Sequence, residues 1–120
     1  MAPRLDWTDN IWAGVTVESN DYMNRLKDLK KVPSSVRFVS FEPLLGSIEK
    51  ADLSAVNWVI VGGESGPGAR PMKKEWATSL RSACLSQNIP FFFKQWGGVN
   101  KKKAGRELDG QTWSQIPESV

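Results

Sequence analysis

Three times along this chain an apolar run ends on a glutamate. Residues 11–17 lead to Glu18, residues 36–41 lead to Glu42, and residues 58–61, followed by two glycines, lead to Glu64. Each run is short and rich in Val, Ile, Phe or Trp, so each reads as a β-strand. Helical spacing fills the first interval: Tyr22, Met23, Leu26 and Leu29 recur on one face, Ser19 or Asn20 can cap the start, and Lys30, Lys31 and Pro33 mark the end. A longer helix is predicted over residues 73–87, with Trp76, Ala77, Leu80, Ala83 and Cys84 on one face. Cys84 is then most simply a small buried hydrophobe. A fourth strand spans residues 89–96 and stops at Gly97-Gly98. The connection over residues 44–57 is just long enough for a parallel crossover, and its one helical stretch lies near Asp52 to Val56.

The order β-α-β-(short)-β-α-β predicts an α/β fold, a four-stranded, mostly parallel sheet with crossover helices. A chain of 120 residues fits one domain. Residues 1–10 read as an irregular lead-in. Residues 99–120 read as a polar tail packed on the domain. The tail carries a solvated lysine run at 101–103, an Asp109-Gly110 pair suited to a tight turn, and Trp113 and Ile116 as apolar anchors.

Side chains alternate across a strand, so parity shows whether the glutamates share a face. Glu18 is in phase with Thr16, Gly14 and Trp12; Glu42 with Ser40 and Phe38; Glu64 with Gly62, Ile60 and Trp58. The opposite faces read Ala13, Val15, Val17, then Val39, Phe41, then Val59, Val61, and these would meet the helices. A parallel sheet therefore brings three carboxylates to one rim, at the strand ends where α/β sites are built. Lys94 or Gln95 arrives at the same end, depending on parity. Carboxylates that close need a cation, and Arg70, Lys94 and Arg106 are the candidates. Each glutamate alone is as readily a loop cap. Three in phase point to a binding rim of Glu18, Glu42, Glu64, Ser65, Arg70, Lys94 and Arg106. The loop glycines Gly62, Gly63, Gly66 and Gly68 offer backbone to an anion, or serve turn geometry. The loop is neither a Walker A loop nor a dinucleotide fingerprint. Phe91, Phe92, Phe93 and Trp96 read as core.

Composition removes several chemistries. There is no histidine and one cysteine, so a disulfide within the chain, a cysteine-held zinc or iron–sulfur site and histidine general-base catalysis are all excluded. No metal site is assigned and no catalytic residue is named. The net charge of +3 is too small to argue for nucleic acid on its own. No apolar stretch reaches membrane-spanning length and the N-terminus lacks a signal-peptide core, so a cytoplasmic location without a membrane partner is expected.

Five motifs carry a resemblance. They are Asn10-Ile11-Trp12-Ala13-Gly14-Val15-Thr16-Val17-Glu18, Val36-Arg37-Phe38-Val39-Ser40-Phe41-Glu42-Pro43-Leu44-Leu45-Gly46, the stretch from Trp58 through Gly62-Gly63-Glu64-Ser65-Gly66-Pro67-Gly68-Ala69-Arg70-Pro71, Pro90-Phe91-Phe92-Phe93-Lys94-Gln95-Trp96-Gly97, and Gly105-Arg106-Glu107-Leu108-Asp109-Gly110-Gln111-Thr112-Trp113. In this order, over residues 3–117, they resemble an uncharacterised phage and prophage protein family. Longer members carry a three-cysteine motif in their N-terminal half and resemble radical S-adenosylmethionine enzymes, which use a partial or complete α/β barrel. The resemblance thus implies half of a (β/α) barrel, with S-adenosylmethionine and a [4Fe–4S] cluster belonging to full-length relatives and no cofactor in this chain. It also implies a fragment, a truncated gene product or a half-length relative, since Met1 stands where family sequence is mid-protein.

Three functions follow as expectations. The first is the substrate- or cofactor-binding C-terminal half of a radical-enzyme-like protein, inactive alone, with a small anionic or nucleotide-like ligand. The second is an interaction module that self-associates as a homodimer, binds a host protein or completes a barrel with a missing N-terminal half, because a four-stranded half-barrel leaves two open edges and an uncovered face. The third, weak nucleic-acid binding, ranks last.

Overall fold

The structure, a computed structural model, describes residues 12–18, 24–32, 36–48, 53–98 and 105–117. The element order is β1 (Trp12–Thr16), α1 (Asn24–Lys30), β2 (Val36–Phe41), β3 (Trp58–Gly62), α2 (Lys74–Ser86), β4 (Phe91–Gln95), β5 (Glu107–Leu108) and β6 (Gln111–Thr112). The first four strands form one sheet in the order β1-β2-β3-β4, and every pairing is parallel. This is the mixed α/β architecture that the alternation predicts. The lead-in, the capping residues Ser19 and Asn20, the helical positions Tyr22 and Met23, Pro33 and the lysine run 101–103 lie outside the described residues.

Both helices lie on one face. Leu26 and Leu29 of α1, and Ala77, Leu80 and Cys84 of α2, join one core with Val39, Phe41, Val59, Val61, Phe91 and Phe93 from the sheet. Burial of the leucine, valine and phenylalanine side chains among them, at roughly 1.5–3 kcal/mol each, is the main force holding helices to strands. The predicted helix face of α2 is correct. Among the described residues, no helix is long and apolar enough to cross a membrane.

The link from β2 to β3 differs from expectation. Residues 53–57 form a turn, not a helix, with Ala55 at φ 66° and the Val56 amide donating to the Leu53 carbonyl at 3.0 Å. A left-handed residue cannot continue a right-handed helix. The link still serves the core: Leu44, Ile48, Leu53 and Val56 are buried in it, in the layer a crossover helix would occupy.

The tail is also more than a polar appendage. Its hairpin β5–β6 turns at Asp109-Gly110, where both residues have positive φ (55° and 76°), the conformation of a tight two-residue turn. Trp113 packs against the core as expected, but Ile116 is exposed and Leu108 is the buried anchor. The tail then runs along the outer edge of β4. Phe93 donates to the Trp113 carbonyl at 2.8 Å, Gln115 to Phe91 at 3.2 Å, and Trp96 to Gly105 at 3.0 Å. The expectation of two open sheet edges is therefore corrected: the tail occupies the β4 edge.

Candidate functional site

Among the described residues, no helix covers the second face of the sheet. Trp12 and Gly14 of β1, Phe38 and Ser40 of β2, Trp58 and Ile60 of β3, and Phe92 of β4 all point to it. Four rings make its floor around Trp58, whose centroid lies 5.8 Å from Trp12, 5.9 Å from Phe38 and 6.2 Å from Phe92. Such edge-on and tilted contacts suit the ring quadrupoles. Gly14 leaves the space that the Phe38 ring fills, since a Cβ there would strike the ring. The Trp58 indole N–H donates to the Gln115 carbonyl at 2.9 Å, tying the floor to the tail.

The rim rises from this floor at the strand ends. Glu42 leaves β2 through a cis Glu42–Pro43 peptide. Its carboxylate lies beside Gly62, where a Cβ would stand 3.0 Å from Oε2. Parity left Lys94 and Gln95 as alternatives, and a register shift resolves this in favour of both. Val61 pairs with Phe93 and Gly62 with Gln95, so Lys94 is the additional residue of a bulge. Lys94 Nζ sits 3.2 Å from Glu42 Oε2, and Gln95 Nε2 donates to the same oxygen at 3.2 Å and to the Gly63 carbonyl at 3.2 Å.

Glu64 is engaged elsewhere. Its Oε1 accepts the Arg70 backbone N–H at 3.0 Å and Nε–H at 2.9 Å, while Oε2 accepts an Nη2–H at 2.6 Å. This bidentate pair closes the glycine loop on itself. The amides of Gly63, Gly66 and Ala69 donate to the carbonyls of Gln95, Gly98 and Gly66, at 2.9, 3.1 and 3.1 Å. Ser65 pairs with Gly98 as an isolated parallel bridge. Gly66 and Gly68, at φ 94° and 77°, supply turn geometry. Glu18 forms no side-chain hydrogen bond or ion pair among the described residues. The Arg70 guanidinium is held above its ordinary range by its hydrogen bond to Glu64 first and by the charge of Glu18 last.

The clasp has a pH signature. The Arg70 side-chain hydrogen bond, then its backbone N–H, lower the Glu64 carboxyl from 4.5 to about 2. A carboxyl depressed in the folded state favours folding above its unfolded pKa, and that gain is lost as pH falls toward the folded value. The wild type is expected to lose thermal stability relative to Glu64→Gln between about pH 5 and pH 2, with the difference constant above that window. Melting curves across this range check it. A gap unchanged with pH would show that the clasp does not couple to folding.

The three glutamates therefore divide. Glu42, Lys94 and Arg106 line one cavity of ≈ 360 Å³ on the open face, with Ser40 and Ile60 and the rings of Phe38, Trp58 and Phe92. Glu64, Ser65, Arg70, Gly63, Gly66 and Gly68 build the neighbouring loop, and Glu18 acts on Arg70 through its charge. Phe92, expected in the core with Phe91, Phe93 and Trp96, instead faces the open side and joins the aromatic floor. Phe38 and Trp58 were in phase with the glutamates, and Phe92 alternates with the core residues Phe91 and Phe93, so the period-two signal was present.

A [4Fe–4S] cluster does not fit this chain. Cys84, its one cysteine, lies fully buried on α2, and burial pushes its thiol up to about 12. Comparison with known proteins finds no match among curated proteins and none among solved structures. One family model, described as "Protein of unknown function (DUF5131)", matches residues 1–117.

Proposed function

The chain belongs to that family, and from this premise we propose that it is a binding half-barrel whose open sheet face holds a small nucleotide-like ligand. S-adenosylmethionine is the member of that class suggested by the resemblance to radical enzymes. Chemistry on the ligand comes from a cluster-bearing half outside these 120 residues. One observation supports the reading above the rest. An all-parallel sheet is ordinarily covered on both faces, yet here one face carries a cavity of ≈ 360 Å³ with an aromatic floor and a charged rim. Small-molecule sites take this form, mostly apolar with a few placed polar groups.

The residues divide the task. Phe38, Trp58 and Phe92 offer ring faces and edges to a flat base, a contact worth about 1–3 kcal/mol per base. The Glu42 carboxylate, fixed by Lys94 and Gln95, accepts hydroxyl or amino hydrogens. No proton-transfer role is assigned, since Glu42 and Glu64 each sit in an ion pair.

Titrating the full chain with S-adenosylmethionine and adenosine, followed by tryptophan fluorescence and calorimetry, tests the reading. Dissociation constants on the order of 10 μM to 1 mM are expected, and Trp58→Ala weakens binding about tenfold or more. A folded protein that takes up neither compound sinks it. Light scattering of the same samples addresses a second reading, favoured by Trp12, which is 43% exposed on β1. A concentration-dependent dimer without ligand uptake would mark the open face as a self-association surface.

A further inference from the structure

Resting on that reading, we propose that the cavity selects a ligand whose flat ring carries an anionic group, phosphate or carboxylate. Arg106, from the tail, is the residue that holds this group. Three lining residues are charged, Glu42, Lys94 and Arg106. Glu42 and Lys94 neutralise each other at 3.2 Å. Arg106 forms no ion pair among the described residues, so the cavity keeps the one positive charge that Arg106 brings.

The guanidinium is nevertheless held in place. Its Nη2 donates to Ser114 Oγ at 2.5 Å, and its centre lies 5.5 Å from the Phe92 ring. Ser114 is itself fixed, because it pairs with Phe92 as an isolated antiparallel bridge. A guanidinium has five N–H donors in a planar fork that matches an oxyanion, and the bond to Ser114 uses one side. The fork is thus pre-oriented beside the aromatic floor, with donors to spare. A neutral group at the fork would leave its charge uncompensated, and a cationic group there would add to it. An anionic group neutralises it and gains charge-assisted hydrogen bonds. The tail is by this argument a wall of the site as well as a cover for the β4 edge.

Adenosine and adenosine 5′-monophosphate share a ring and differ in the anion, which makes them the probes. The monophosphate is expected to bind the full chain about tenfold or more tighter than adenosine at low salt, with the gap narrowing as salt rises. Arg106→Gln is expected to abolish the monophosphate's advantage, so that it binds no tighter than adenosine does to the same variant. Arg106→Lys keeps the charge and loses the fork; it is expected to fall between, and it carries the test if Arg106→Gln fails to fold. S-adenosylhomocysteine distinguishes a carboxylate from a phosphate as the preferred anion. Equal affinities for the two probes, or a preference for the monophosphate that survives in Arg106→Gln, overturn the proposal and leave the open-face reading standing. Absence of binding by either probe removes both.

Discussion

Replacing Leu108 by alanine is expected to destabilise the protein by about 2–5 kcal/mol, the range for truncating a fully buried leucine. Leu108 has no exposed surface and belongs to the main core, although it sits in a two-residue strand of the tail. The hairpin that carries it is held from two sides. Asp109 bridges Lys74 Nζ at 2.5 Å and Arg81 Nη1 at 2.8 Å, both on α2. Arg81 lies 5.3 Å from the Trp113 ring, and the Trp113 indole N–H donates to the Leu108 carbonyl at 3.3 Å. The exposed ion pairs add little by themselves, so the buried side chain is where the energy lies. Urea unfolding of the variant is the measurement. Ile116→Ala is the control, expected to fall within about 0.5 kcal/mol because Ile116 is 63% exposed. A Leu108→Ala loss below about 1 kcal/mol would mean that the tail does not share the core. The same variant bears on the site. Loosening the hairpin releases Arg106, and with it one wall of the cavity.

The pattern of what could be read from the residues follows from the range of the forces involved. Strand and helix identities rest on periodicity within a few residues, and β2 is found over the expected positions. The all-parallel sheet follows from the alternation of elements. The failures are all non-local or conformational. A left-handed Ala55 cannot be anticipated from its side chain, and it decides that the link to β3 is a turn. The choice of Leu108 over Ile116 as the tail's anchor depends on which of two apolar residues reaches the core. The bulge at Lys94 shifts the register after Val61, so strict parity, applied as far as Gln95, could not show that both residues reach Glu42. The division of the three glutamates has the same origin. Their shared phase was legible, but the partner of each was set by loops: Arg70 folds back on Glu64, while Lys94 is carried to Glu42 by the bulge.

Gly63→Ala is expected to be the most damaging of the loop glycine changes, at about 1–3 kcal/mol or more. The reason is space and not dihedral angle. Gly63 is buried and its φ is not positive, but a Cβ added there would collide with the Trp96 backbone carbonyl. A backbone obstacle cannot rotate away as a flexible side chain does. The strand ends of β3 and β4 must then separate at the point where Gly63 donates to Gln95 at 2.9 Å and Gly98 donates to the Glu64 carbonyl at 2.6 Å. Separation also withdraws Gln95 from its shared hydrogen bonds to the Gly63 carbonyl and Glu42. The variant should therefore lose ligand binding together with stability. Gly66→Ala isolates the other cause. A Cβ at Gly66 meets nothing within 4 Å, but φ is 94°, so its cost is the strain of placing an L-residue there, about 1 kcal/mol. It should leave the rim intact and binding unchanged. Urea midpoints and the adenosine titration on both variants decide the matter. If Gly66→Ala proves the costlier change, or Gly63→Ala binds as the wild type does, then close approach of β3 and β4 is not what shapes this rim.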